Sequence, residues 1–283
     1  MLAFASMISG RTAMNSVKEF YRDAQKEWDR LDLPLCQIEF ASTLRLIDEH
    51  LKKCGTVADI GGGPGRYTLE LLKRGHRVTL FDLSPENIAL AQTMIGRAGL
   101  EAEDFLVGDA RNLSALQGRR FDAILALGPL YHLAERTERI AFLEGAKPLL
   151  NSGGILIACY LNAWGIARTL LSDSPGWFTK DSLRLLRTGE SFSGTQACSG
   201  FTECHWSNPD LARAELKEAG FAPIEEIGAE GFAGGCRKEV EAIAANDPQS
   251  FRHIVALGVE TSALPQYRHA TDHLLFVASA AAQ

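Results

Sequence analysis

An α/β fold built on a largely parallel sheet is what this sequence predicts, and three observations predict it. Short apolar runs at residues 57–60, 78–81, 105–107, 123–127 and 155–160 alternate with stretches of helical periodicity. Several of the runs are apolar on both faces, as strands are when helices cover both sides of a parallel sheet. Glycine- and proline-rich junctions punctuate them, as in Gly61-Gly62-Gly63-Pro64-Gly65 and Ser152-Gly153-Gly154.

Two amphipathic helices are expected ahead of the first strand, over residues 16–30 and 39–53, the second on the spacing of Leu44, Ile47 and Leu51. After the fifth strand the rhythm lapses through residues 161–206, a stretch carrying Trp164, Trp177, Phe178, Phe192, Phe201 and Trp206 among glycines and serines. Order then returns. A helix is expected over 209–219, with Ser207 or Asn208 as its N-cap and Gly220 at its end, followed by a strand over 221–227. A helix over 237–245 and a last strand over 273–278 complete the pattern. The expected organisation is an N-terminal extension with cap helices over 1–53 and a main domain over 54–283. The insert at about 161–206 belongs to that domain, and the whole forms one structural unit.

Composition narrows the function. The chain has 283 residues, 46% hydrophobic and 23% charged, with a net charge of −6. A protein that grips nucleic acid through phosphates carries a basic surplus or stripe, and this one carries neither. Six cysteines (Cys36, Cys54, Cys159, Cys198, Cys204 and Cys236) show no CxxC pair, which suits reduced thiols in a cytoplasmic protein. The grouping of Cys198, Cys204 and His205 matches no usual zinc spacing, so no metal is expected. The opening MLAFASMISG lacks the basic region of a secretory signal, and Met7 and Met14 are alternative starts. No apolar run approaches the ~20 residues that span a bilayer.

The chemistry concentrates at the carboxyl ends of the strands, where open α/β sheets bind ligands. Asp59-Ile60-Gly61-Gly62-Gly63-Pro64-Gly65 lies between the first strand and a helix. Glycines at 61, 63 and 65 permit turns forbidden to other residues and let a ligand lie against the main chain. A loop without a ligand is the plain alternative. The dinucleotide pattern G-x-G-x-x-G is not met, because Arg66 stands at its last position. Asp82 closes the second strand in Leu80-Phe81-Asp82-Leu83-Ser84, where a carboxylate accepts from ribose hydroxyls. Its alternative role is to cap the helix near Pro85, which Ser84 does better. Gly108-Asp109-Ala110 follows the third strand, and Leu127-Gly128-Pro129-Leu130-Tyr131-His132 follows the fourth.

Taken together these phrases resemble the class I, Rossmann-like S-adenosylmethionine-dependent methyltransferases. VADIGGGPGRYTLELLKRG resembles that family's first motif, Asp82 its acidic second, Gly108-Asp109-Ala110 its third and FDAILALGPLYHL its fourth. The resemblance implies a three-layer sandwich with a seven-stranded, mostly parallel sheet whose last strand is antiparallel, and an inserted cap after strand five. It implies S-adenosyl-L-methionine as cofactor and S-adenosyl-L-homocysteine as product. The cofactor would lie across Gly61, Gly62, Gly63 and Gly65, with ribose on Asp82 beside Leu83, adenine near Asp109 and Ala110, and Leu127 alongside. Asp59 would brace the loop or meet the methionine amino group, and Tyr21 would close over the methionine end. Glu27, Trp28 and Leu31, with Glu230-Gly231, resemble a broad bacterial subgroup of small-molecule methyltransferases.

Tyr131 and His132 stand where the family keeps groups that face the acceptor. His132, with an ordinary pKa near 6.5, could take a proton from a hydroxyl or amine; it could equally hold the cofactor's carboxylate or pack beneath the loop. The loop lacks the polar first residue and second proline of the D/N-P-P-Y/F motif, which disfavours methylation of bases or glutamine. The insert's aromatics could wall an acceptor pocket or simply pack the insert on the sheet. The expected reaction is methyl transfer to O, N, S or C of a small molecule by a monomer or homodimer. The competing readings are a non-catalytic cofactor-binding subunit and, less favoured, an NAD-dependent oxidoreductase.

Overall fold

The computed structural model describes residues 17–51, 55–188 and 204–281. One sheet organises them, in the strand order β3-β2-β1-β4-β5-β8-β7. The strands are β1 (Thr56–Ile60), β2 (Arg77–Asp82), β3 (Asp104–Val107), β4 (Phe121–Ala126), β5 (Leu150–Asn162), β7 (Phe221–Gly228) and β8 (His273–Ala280). β1 to β5 run parallel, while β8 lies antiparallel between β5 and β7. That is the expected seven-strand path, and a two-residue strand β6 (Trp206–Ser207) adds an eighth by pairing with the end of β5.

The two-faced apolar runs in the sequence do what their pattern requires. Val57, Leu80, Leu125 and Ile157 point into one hydrophobic cluster, and Ala58, Ile60, Phe81, Ile124 and Leu156 into the other. Neighbouring residues thus feed opposite faces, and both faces are covered by helices. Helices Arg66–Lys73 and Pro85–Arg97 follow β1 and β2, each beginning beside a carboxyl end of the sheet. Ser84 caps the second of these by accepting from the Asn87 backbone, which leaves Asp82 for other work.

The expected first helix is broken. The stretch 17–20 is helical, but the chain turns at Tyr21-Arg22, and Asp23 caps a new helix, Ala24–Arg30. The break lets Tyr21 turn inward while Glu27 and Arg30 share the inner face of the next helix. The second helix starts earlier than its apolar spacing suggested, at Pro34, and runs to His50, because proline's fixed φ and missing N–H suit a first helical turn. A third cluster joins this helix to the other end of the chain: Leu35 and Ile38 pack with Ala233 and Val240, against Phe251 and Val255 of Pro248–Thr261.

The insert is more regular than its sequence implied. Asn162 caps a helix Ala163–Asp173, and Lys180–Thr188 forms another. The Trp177 and Trp206 rings meet at a tilt of 42° with centres 5.5 Å apart, with Phe178 edge-on to Trp177. Both Trp177 and Phe178 pack against the core, whereas Trp164 is 45% exposed. Trp177, Phe178 and Trp206 therefore secure the insert, and none of these four rings lines the cavity described below. Phe192 and Phe201 lie outside the described residues.

Candidate active site

The cavity of interest opens over the carboxyl ends of β1, β2, β3 and β4. The segment 17–31 closes it from above. At its floor, β1 ends in Asp59 and the chain turns at Gly61, whose N–H donates to the Phe81 carbonyl (2.7 Å). Gly61 adopts φ +69°, and a Cβ there would lie 2.7 Å from Pro129 Cγ. Glycine is what permits this turn and lets the loop after β4 press against it.

Asp59 is almost fully buried, and only half of its carboxylate is used. Oδ2 accepts from Thr68 Oγ1 at 2.7 Å, while Oδ1 has no hydrogen-bond partner among the described residues. Burial raises its carboxyl to about 6, against the lowering effect of the Thr68 bond. Asp82 is more fully engaged. Its Oδ2 accepts from the Gly63 N–H (2.8 Å), and its Oδ1 accepts from the Ser84 N–H (2.9 Å) and Asn87 Nδ2 (3.1 Å). Burial raises the Asp82 carboxyl too, opposed by those same bonds. The three bonds tie the glycine loop to the end of β2, so the two motifs form one rigid floor.

Gly61, Gly62, Gly63, Leu83, Ala110 and Leu127 all line the cavity beside Asp59 and Asp82. Two expected residues do not. Gly65 instead caps Arg66–Lys73, with φ +84°. Asp109 turns its carboxylate to its own neighbour: Arg111 donates from its backbone (2.9 Å) and from Nη2 (2.6 Å). Gly108 and Ala110, not Asp109, present the loop after β3 to the cavity.

At the other end Tyr21 meets His132, with Tyr21 Oη and His132 Nε2 sharing a hydrogen bond of 2.9 Å. Burial raises the Tyr21 hydroxyl well above its usual range, so it stays protonated at neutral pH and donates to Nε2 in the tautomer that carries the ring proton on Nδ1. The Tyr131 ring lies 4.7 Å from His132, and its hydroxyl is likewise held protonated by burial. Tyr131 and His132 belong to the short helix Pro129–His132, which the Gly128-Pro129 turn aims into the cavity.

Sequence reasoning missed Arg30 as a wall residue. Its Nε donates to Glu27 Oε1 (2.9 Å) and its Nη1 to Glu39 Oε2 (3.1 Å), and both Glu27 and Arg30 line the cavity. The i,i+3 spacing of Glu27 and Arg30 was the available signal. It reads as an ordinary surface pair until the helix is seen to face inward. Cys204 is buried and accepts from Trp206 Nε1 (3.2 Å), and burial with the nearby Arg139 charge lowers His205 to about 3. Cys198 lies outside the described residues. Of the C-terminal histidines, His269 bonds Glu226 (2.6 Å) and His273 bonds Glu230 (2.6 Å).

A family profile described as "Methyltransferase domain" matches residues 57–154, the stretch that carries β1 to β4 and their loops. Residues 57–154 thus match a methyltransferase domain, set within a Rossmann-like sheet of the order described above. Curated relatives match part of the chain. The ubiquinone biosynthesis O-methyltransferase of Azorhizobium caulinodans is 36% identical over 106 residues, which is 38% of this chain and 40% of that protein. That of Paramagnetospirillum magneticum is 28% identical over 129 residues, 44% of this chain and 49% of the relative. The chain thus matches these relatives over only two fifths to one half of their length.

Solved structures extend the likeness in fold to most of the chain. An S-adenosylmethionine-dependent methyltransferase from Clostridium acetobutylicum superposes with a TM-score of 0.56 at 11% identity, covering 86% of this chain and 92% of that one. The 1,6-didemethyltoxoflavin-N1-methyltransferase of Burkholderia thailandensis, with S-adenosylhomocysteine bound, gives 0.54 at 19% identity over 99% and 90% of the two chains. The residues present would suit S-adenosylmethionine. The open, buried Oδ1 of Asp59 calls for a cationic donor, and the methionyl ammonium is one. The glycine floor leaves clear the surface on which an extended nucleoside would rest. Among the described residues no helix is long and apolar enough to cross a membrane.

Proposed function

We propose that this protein transfers the methyl group of S-adenosylmethionine to a protic oxygen or nitrogen of a small molecule and releases S-adenosylhomocysteine. The observation that carries this reading is the single cavity that holds Asp59 and the Asp82-braced loop at one end and the Tyr21–His132 pair at the other. In the proposed roles Gly61, Gly62 and Gly63 bear the cofactor and Asp82 meets its ribose. Gly108 and Ala110 border the adenine, Asp59 takes the ammonium, and Leu127 lies alongside. The segment through residue 53 acts as a cap on the domain over 54–283; the presence of Tyr21, Glu27, Arg30 and Leu31 in the cavity wall supports this.

Bound there, the cofactor supplies an electrophilic methyl group, so the protein's task is positioning and removal of one proton. An acceptor O–H or N–H that displaces the Tyr21 hydroxyl meets the lone pair of His132 Nε2. His132 takes the proton as the acceptor atom gains the methyl group, and Tyr21 then bonds the acceptor from the side. The capped cavity excludes water from the transfer. The matched relatives are named O-methyltransferases, which favours a hydroxyl acceptor, and the small-molecule enzyme from Burkholderia keeps nitrogen in view.

A methyl-transfer assay with labelled cofactor against a panel of phenols, hydroxy acids and amines tests the proposal. Label should enter at least one hydroxylated compound. A protein that binds S-adenosylhomocysteine yet labels no compound of a broad panel would instead be a cofactor-binding subunit.

A further inference from the structure

We infer that Arg30 is the docking cation for the carboxylate of the cofactor's methionyl group, and that it works opposite Asp59, which receives the ammonium; this rests on the cofactor reading above. The α-amino acid end of the ligand is a zwitterion. A site that binds it tightly needs an anion and a cation that are both incompletely satisfied and both facing the cavity. Asp59 Oδ1 is such an anion. Arg30 is such a cation: it lines the same cavity, keeps 32% of its side-chain surface accessible, and has no bond from Nη2 among the described residues.

The other cations on the wall are spent or misplaced. Arg66 donates to the Trp28 carbonyl (2.9 Å) and Asp32 (2.9 Å), and its guanidinium lies over the rings of Trp28 (5.0 Å) and Phe40 (5.4 Å). Lys18 is near enough to Glu86 to lower its carboxyl, which puts it at the nucleoside end, beside Ser84. Arg30 instead neighbours Tyr21 and Tyr131, at the end where the methyl group must be delivered.

Arg30 is also held from behind in a way that suits docking. Glu39, buried, takes its Nη1. Glu39 in turn faces His273 Nδ1 (3.6 Å), which bonds Glu230 Oε1 (2.6 Å). This chain of charges joins the Glu27-Trp28 phrase near the start of the protein to Glu230-Gly231 near its end. A guanidinium braced on Nε and Nη1 has already lost its rotamer freedom, so its free nitrogen binds a carboxylate at little further ordering cost. Glu27 bonds the same guanidinium, and with Asp59 and Asp82 it balances the positive charges of Lys18, Arg30 and Arg66 on the wall.

The test is calorimetry on the full chain with S-adenosylhomocysteine, its decarboxylated analogue and 5′-methylthioadenosine. The wild-type protein should lose about thirtyfold or more in affinity when the carboxylate is removed. Arg30→Gln should weaken S-adenosylhomocysteine to a similar extent while leaving methylthioadenosine within about twofold, so that the carboxylate no longer matters. Arg30→Lys, which keeps the charge without the planar fork, should fall between them and serves if the glutamine variant does not fold. Equal wild-type affinity for the acid and its decarboxylated analogue overturns the inference. So does an Arg30→Gln variant that raises only the acceptor's KM, since that would place the acceptor's carboxylate on Arg30. A wild-type protein that binds none of the three compounds would instead refute the cofactor reading itself.

Discussion

Asp59 holds one oxygen open inside the protein, and its carboxyl titrates at about 6. Its anion is the form that attracts an ammonium, so affinity for S-adenosylhomocysteine should fall as pH drops below about 6 in a calorimetric titration. Asp59→Asn should bind more weakly and lose that pH dependence; a variant with the wild-type profile would remove Asp59 from the site. His132 makes a separate prediction. His132→Ala should cut turnover by about 10²- to 10⁴-fold, the usual share of a general base, with cofactor affinity unchanged. A drop in cofactor affinity would move His132 from the proton to the methionine end. Of the carboxylates expected at strand ends, Asp59 and Asp82 reach the cavity and Asp109 does not. Sequence position cannot reveal that Arg111, two residues on, competes for its oxygens.

His273 links residue chemistry to the elements it joins. Burial alone would lower its pKa, but the Glu39 and Glu230 carboxylates outweigh burial and raise it to about 9. A folded-state pKa above the unfolded value near 6.5 means the contribution is whole below pH 6.5 and vanishes as pH rises through 9. Urea denaturation should therefore show wild-type stability falling by about 3 kcal/mol between pH 7 and 9.5, at about 1.4 kcal/mol per pKa unit. His273→Gln should flatten that slope. Asp272, raised to about 6 mainly by burial, acts in a lower pH window and does not obscure the test. The elements themselves were unevenly legible. Strands announced themselves through runs buried on both faces. The insert's helix Ala163–Asp173 was hidden by its mix of glycine and aromatic residues, and the Tyr21-Arg22 break by an apolar period that continues across it. At the glycine loop, Gly61→Ala should abolish measurable S-adenosylhomocysteine binding, because the φ of +69° and the contact with Pro129 leave no room for a Cβ.

At the scale of the whole molecule, the sheet sets the floor of the site, the segment 17–31 closes it, and the C-terminal helices brace the helix that follows that segment. Segment 17–31 lines the cavity over the carboxyl ends of the strands, helix Pro34–His50 packs on one face of the sheet through Leu46 and Ile47, and its contacts with Arg237–Asn246 and Pro248–Thr261 tie it to the C-terminal part. Arg30 was illegible in the sequence because its partners, Glu39 and the Glu230–His273 pair, come from distant positions that only the fold unites. The cofactor-binding half was legible because its chemistry is local: a turn, a strand end and the next strand end. The central claim is that this floor is built for S-adenosylmethionine and not for a dinucleotide. Calorimetric titration of the wild-type chain with S-adenosylhomocysteine and with NADH, side by side at neutral pH, tests it most directly. Saturable binding of S-adenosylhomocysteine with no heat from NADH is the predicted result; preferential binding of NADH would contradict it.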